Sequence, residues 1–125
     1  MIYIDTNIFI YLFENHQEYA TKVASFLDKN IKTTQFITSV ITLTELSAGN
    51  PNITMKIVQQ LQGLKIIPID ENIASLAGSI LHQDKMPIGD ALHYATAQST
   101  NCNAIYTNDT ILAKKASKKM QVIMP

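Results

Sequence analysis

Ten acidic residues occur in this 125-residue chain, and four of them, Asp5, Glu45, Asp90 and Asp109, stand where a carboxylate is more than a solvated helix face. Asp5 directly follows the apolar run Ile2-Tyr3-Ile4, and Asp109 follows Ala104-Ile105-Tyr106 after an intervening Thr-Asn. Asp90 opens a helical pattern, where the macrodipole favours negative charge. Glu45 sits in a largely apolar helix between Leu43 and Leu46. If the strands are parallel, all four can converge at one sheet edge. Clustered carboxylates repel and resist ionising beside one another. A hard divalent cation resolves that repulsion, and an oxygen-only ligand set selects Mg²⁺ or Mn²⁺ over Zn²⁺. Such a site suits phosphoryl transfer, in which a metal-activated water attacks phosphorus and no protein nucleophile is needed. For Asp5 the competing reading is a plain helix cap.

The positioning elements follow from periodicity. Ile2-Tyr3-Ile4 reads as a buried strand, after which Thr6 or Asn7 caps a helix faced by Ile8, Leu12 and Phe9. Ala20, Val23, Ala24 and Leu27 predict a helix over 17–29. A strand over 35–38 follows, then Ser39 as a cap and a helix through Ile41, Leu43 and Leu46 that stops at Gly49-Asn50-Pro51. A helix through Met55, Ile57, Val58 and Leu61 ends near Gly63. The strand 65–69 reads as a sheet edge because of Pro68. Asp70 caps a helix buried through Ile73, Leu76, Ala77, Ile80 and Leu81. Met86-Pro87-Ile88-Gly89 reads as a loop, with Asp90 opening the helix 91–99. A strand over 104–106, a helix over 110–117 and a strand over 121–124 complete the chain. Strands alternating with helices imply an α/β fold, a parallel sheet covered on both faces. No repeat or linker interrupts the chain, so a single domain over 1–125 is expected.

Apolar residues make up 46% of the chain and the formal net charge is zero. No global basic field advertises a polyanionic partner. All ten basic residues are Lys, which removes the bidentate guanidinium fork. The lone Cys102 forms no internal disulfide. Asp5 interrupts the first apolar run, and no run approaches the roughly 18 residues of a membrane span. A soluble, cytoplasmic domain is expected.

Asp5-Thr6-Asn7 after a strand, Glu45 in the helix after the second strand, Gly89-Asp90-Ala91-Leu92 with Ala95 and Ala97, and Thr107-Asn108-Asp109 after a strand resemble the four landmarks of the PIN-domain ribonucleases. The chain is similar in particular to the small VapC-type toxins of toxin–antitoxin pairs. The resemblance implies a three-layer α/β/α fold with a five-stranded parallel sheet, Mg²⁺- or Mn²⁺-dependent endonuclease activity on RNA, a cognate antitoxin and a homodimer. By position, Asp5, Glu45, Asp90 and Asp109 match the family's catalytic acidic cluster, with Asp5, Asp90 and Asp109 as metal ligands. Asn7 and Thr107 match the polar residues that brace it. The chain departs from the pattern in having no Arg, which leaves phosphate contacts to Lys.

Two other readings compete: a non-catalytic PIN-like RNA-binding or scaffold module, and a phosphatase phosphorylated on Asp5. The latter needs a second Asp where the chain has Asn7. His93, three residues after Asp90, reads as a packed core histidine, or as a residue that reaches the site through water. His16 and His82 have no evident partner. Lys114, Lys115, Lys118 and Lys119 form like-charged i, i+4 pairs that a polyanion would relieve, a solvated face that can also touch RNA. Ile8, Phe9, Tyr11, Leu12 and Phe13 exceed one buried stripe, so part of this set is buried by the sheet or exposed for a partner chain.

Overall fold

The computed structural model describes residues 1–54, 58–61 and 63–125. In chain order the elements are β1 (Ile2–Ile4), α1 (Thr6–Phe13), α2 (Ala20–Asn30), β2 (Phe36–Ser39), α3 (Ile41–Gly49), β3 (Leu64–Ile67), α4 (Glu71–Gln83), α5 (Ile88–Ser99), β4 (Ala104–Tyr106), α6 (Thr110–Ala116) and β5 (Gln121–Ile123). The strands form one five-stranded sheet in the order β3-β2-β1-β4-β5, and every pairing is parallel. β3 is an edge, as Pro68 predicts, with the proline just beyond the strand. Of the expected helix before β3, Met55 and Ile57 lie outside the described residues. Val58 is fully buried, and Gly63 enters β3 with φ 75°, a conformation glycine adopts without a Cβ penalty.

Alternation along the strands creates two cores. Tyr3, Ile37 and Ile105 face one side with Ile73, Ala77 and Ile80 of α4, Ala91, Tyr94 and Ala95 of α5, and Leu112 of α6. Ile4, Phe36 and Tyr106 face the other, with Ile8 and Phe9 of α1, Val23 of α2, Leu46 of α3 and Val58. Helices thus cover both faces, the arrangement that buries a parallel sheet. α5 lies close to the sheet because its inward residues are small: Ala91, Ala95 and Ala97 have no exposed surface.

Several boundaries differ from the periodic reading. α1 is capped by Asp5, whose Oδ1 accepts from the Thr6 amide at 2.7 Å, not by Thr6 or Asn7. α2 starts at Ala20 because His16 Nδ1 accepts the Glu18 and Tyr19 amides, each at 3.2 Å, and holds a turn there. Ser39 closes β2, although its hydroxyl still accepts the Ile41 amide at 3.3 Å. α5 begins at Ile88, with Pro87 at the cap, so Asp90 lies inside the first turn and does not open the helix. Proline presets φ for a helix start, but Ile88 is 68% exposed and belongs to no apolar stripe that would reveal that turn. On α1, Ile8 and Phe9 are buried and Tyr11, Leu12 and Phe13 half-buried against the second core, so the sheet side covers part of the set and three of its side chains keep some exposed surface. No helix among the described residues is long and apolar enough to cross a membrane.

The fit of α5 is testable. Ala95→Leu, which forces extra volume between helix and sheet, is expected to destabilise the fold by about 1–3 kcal/mol. Ala74→Leu on the exposed face of α4 serves as the control. Thermal melts should show a drop of several degrees for the first and little change for the second.

Candidate active site

β1 lies at the sheet's centre, and the chain leaves it first toward β2 and β3, then crosses to β4 and β5 on the other side. In open α/β sheets ligands bind outside the carboxyl ends of the strands at such a switch point. The register there is fixed by Ile4 pairing with Tyr106 and by the Asp5 amide donating to the Tyr106 carbonyl at 3.0 Å. Asp5 and Thr107 are thereby brought abreast, and Thr107 Oγ1 donates to Asp5 Oδ2 at 2.6 Å. With Oδ1 on the Thr6 amide, both oxygens of this buried carboxylate have donors. Asp5 is therefore a helix cap and a member of the acidic cluster at once. Burial is the main force raising its carboxyl above the usual range, opposed by His93 and by the donors from Thr107 and Thr6.

Glu45 reaches the same point from α3. Its Oε1 accepts from Thr6 Oγ1 at 2.8 Å and lies 2.5 Å from His93 Nε2, while a Cβ at Gly89 would stand 3.5 Å from Oε2. His93, buried beneath the cleft, is 3.6 Å from Asp5 Oδ1, and its Nδ1 is 2.6 Å from the Tyr3 hydroxyl. Burial disfavours the imidazolium, yet the Glu45 hydrogen bond and the surrounding carboxylates raise the His93 pKa. Burial also pushes Glu45 toward its neutral form, and the same His93 contact outweighs it, holding the Glu45 carboxyl below its ordinary value.

Asp90, one helical turn before His93, completes the cluster. Its Oδ2 is buried without a hydrogen-bond partner. Burial first, then the charges of Asp109 and Asp5, push its pKa up to about 6. Asp109 caps α6, Oδ1 accepting the Leu112 amide at 2.9 Å, and its own amide donates to Thr107 Oγ1 at 3.0 Å. The four expected acids thus lie close enough for Asp109, Asp5 and Glu45 each to act on the charge of Asp90. Among the described residues no three His, Cys, Asp or Glu side chains form a ready metal shell, but a buried carboxylate oxygen without a donor, electrostatically coupled to other carboxylates, is the donor chemistry a hard cation fits.

The bracing residues behave differently from one another. Thr107 holds Asp5 directly, whereas Asn7 Oδ1 accepts the Asn108 amide at 3.3 Å and steadies the loop. Sequence reasoning missed Thr6 and Tyr3 and undervalued His93. The spacing carried the signal: His93 is one turn from Asp90, and Tyr3 shares Asp5's face of β1. Of the lysines, Lys115 is half-buried in an ion pair with Asp84 and lies over the Tyr94 ring, so it is a strut between α6 and the end of α4. Lys114, Lys118 and Lys119 are exposed.

The fold is thus a doubly wound parallel sheet with carboxylates gathered at its switch point. The family model of the PIN domain matches residues 2–118, and the chain belongs to that family. Solved structures share the fold. A toxin–antitoxin complex from Klebsiella pneumoniae is 25% identical with a TM-score of 0.74, covering 98% of this chain and 96% of that one. VapBC2 from Rickettsia felis, bound to a DNA fragment from its promoter, is 24% identical with a TM-score of 0.74, covering 100% and 99%. Mycobacterium tuberculosis VapC20, a sarcin-ricin loop cleaving toxin, is 12% identical with a TM-score of 0.69, covering 92% and 95%. A comparison with curated protein sequences finds no match.

The strained carboxylate gives a signed expectation. Well below pH 3.8 Asp90 is neutral in both folded and unfolded chains, and its destabilising effect is absent. As pH rises toward 6 the unfolded chain ionises first, and the effect is complete above that value. In chelator, Asp90→Asn should therefore raise the melting temperature at pH 7 and flatten the loss of stability between about pH 4 and 6. The gain, screened by water at a half-exposed group, is on the order of 1 kcal/mol. A variant less stable than wild type at pH 7 would refute the electrostatic assignment.

Proposed function

We propose that this protein is an endoribonuclease dependent on Mg²⁺ or Mn²⁺, the toxin of a toxin–antitoxin pair, cutting RNA phosphodiester bonds with water as nucleophile. The observation that carries the reading is Asp90 Oδ2, a buried anionic oxygen without a donor, in a carboxylate whose charge is opposed by Asp109 and Asp5. A fold retains such a group where a cation is meant to share it. Asp5, Asp90 and Asp109 are the residues that would hold the ion. When bound, it neutralises phosphate charge and acidifies a water for in-line attack. Asp5 enters with its orientation set by Thr107 and the Thr6 amide. Glu45 has one oxygen committed to Thr6 and His93 and presents the other beside Gly89, a position suited to orienting the water and taking its proton.

The substrate's backbone has a candidate path beside α6. A cleft of about 300 Å³ is lined by Asp84, Lys85, Met86, Ile111, Lys114, Lys115 and Lys118, on the helix whose start Asp109 caps. Lys85, Lys114 and Lys118 are exposed there and complement a phosphate chain. An antitoxin partner is supported by neighbours that are themselves toxin–antitoxin complexes.

Purified protein incubated with total RNA should cleave it with Mg²⁺ or Mn²⁺ and stop in EDTA. Asp90→Asn and Glu45→Gln should each lower the rate by about a hundredfold or more. Cleavage that persists in excess chelator, with contaminating nuclease excluded, overturns the reading.

For the lysines, Lys114→Ala with Lys118→Ala should weaken RNA binding and reduce the slope of log affinity against log salt by about 1.4, from about 0.7 per single-strand phosphate contact. Lys115→Ala should instead lower the melting temperature and leave that slope unchanged. Binding titrations at several salt concentrations separate the two outcomes.

A further inference from the structure

Beneath Asp5 and Glu45 lies a chain of buried, hydrogen-bonded side chains. The Ser39 amide donates to the Tyr3 hydroxyl at 3.1 Å, and that hydroxyl meets His93 Nδ1 at 2.6 Å. Tyr3 and His93 are both almost wholly buried. On its other side His93 Nε2 meets Glu45 Oε1 at 2.5 Å, and Thr6 Oγ1 donates to the same oxygen at 2.8 Å. We infer that Tyr3 and His93 form a positioning relay that keeps a proton on His93 Nε2 and thereby fixes Glu45 with Oε1 held inward and Oε2 turned to the cleft.

The relay follows from donor and acceptor inventories. The Ser39 amide takes one lone pair of the Tyr3 oxygen, leaving its O–H to donate and one lone pair to accept. If His93 is neutral, the Tyr3 hydroxyl donates to Nδ1 and the ring proton must sit on Nε2. If His93 is the imidazolium, Nδ1–H donates to the Tyr3 oxygen and Nε2 again carries a proton. The remaining tautomer would aim a nitrogen lone pair at Glu45 Oε1, with Asp5 Oδ1 3.6 Å behind it. Either allowed state makes Nε2 a donor toward the carboxylates, so the arrangement does not depend on the charge of the ring.

The consequence falls on Glu45, whose side chain is 40% exposed and would otherwise sample several rotamers. Two donors on Oε1 select one of them. Thr6 is itself held beneath: Thr38 Oγ1 donates to the Ile4 carbonyl at 2.8 Å and lies 2.8 Å from Thr42 Oγ1, which is 3.2 Å from Thr6 Oγ1. Three elements, α1, α5 and α3, therefore meet at one carboxylate oxygen.

Within the nuclease reading, this makes Tyr3 and His93 determinants of how well Glu45 serves the ion and the water. The test begins on metal-free protein. ¹⁵N spectra of the histidine rings should show His93 protonated at Nε2 in the wild type, with a slowly exchanging ring proton. Tyr3→Phe, which keeps the ring, should give a mixed tautomer or lose that proton. Mn²⁺ titration of the same proteins should show about tenfold weaker binding for Tyr3→Phe. His93→Gln, which retains a donor for Glu45, should bind more tightly than His93→Ala. An Nε2 proton unchanged by Tyr3→Phe, or equal Mn²⁺ affinity for folded His93→Ala and wild type, overturns the relay. Should His93→Ala fail to fold, Tyr3→Phe and His93→Gln still decide. A wild type that binds no Mn²⁺ while its His93 tautomer depends on Tyr3 supports the relay and overturns the metal site.

Discussion

A charged carboxylate at the end of a central strand has little access to water, and what surrounds it must do the work of solvent. At Asp5 that work is done by a backbone amide on one oxygen and a threonine hydroxyl on the other, both delivered by the chain segments that the sheet places on either side. Even so, burial leaves the acid harder to ionise than in water. Neighbouring acids add to the difficulty, and Asp90, which has one oxygen without any donor, is pushed up by burial and by the charges of Asp109 and Asp5. The protein holds several negative charges in a space that opposes them, an arrangement that makes sense when a cation completes it.

The packing makes that concentration possible. α5 brings both Asp90 and His93 to the sheet, and it does so by presenting alanine where a globular helix would usually present leucine. With Ala91, Ala95 and Ala97 inward, the helix sits close to the sheet, and the imidazole one turn beyond Asp90 can span the gap between Tyr3 and Glu45. Larger residues would thicken the layer and draw the carboxylates apart. The small-residue pattern around Asp90 is a spacing device as well as a motif.

Much of this was legible in the chain. Alternation of short apolar runs with amphipathic helices identified all five strands and the parallel sheet, because strands buried on both faces read as continuous apolar segments. The placement of Asp5 and Asp109 after strands was readable for the same reason. Less legible were features whose cause is not periodic. The first turn of α5 was hidden because Ile88 points outward while Pro87 looks like a loop residue. The start of α2 was hidden because a histidine ring, and not an Asx or Ser side chain, terminates the preceding turn. His93 resembled an ordinary core residue since it is one, buried and hydrogen-bonded. Only the sheet register reveals that its partners are the cleft's own acids. Lys115 belongs to a basic run in sequence, but a distant aspartate at the end of α4 claims it.

The pairing of Asp5 with Thr107 joins residues 102 positions apart, and it rests on β1 lying against β4. Contacts of that separation form late, because the loop they close is most of the molecule. During synthesis, β1, α1 and α3 emerge long before β4, so a partly made chain carries Asp5 and Glu45 without the strand that aligns them with Asp109. Local opening at the β4–β5 side of a finished molecule would separate the same groups. Competence of the cleft is thus tied to completion of the sheet, and fragments or half-folded chains lack the arrangement altogether.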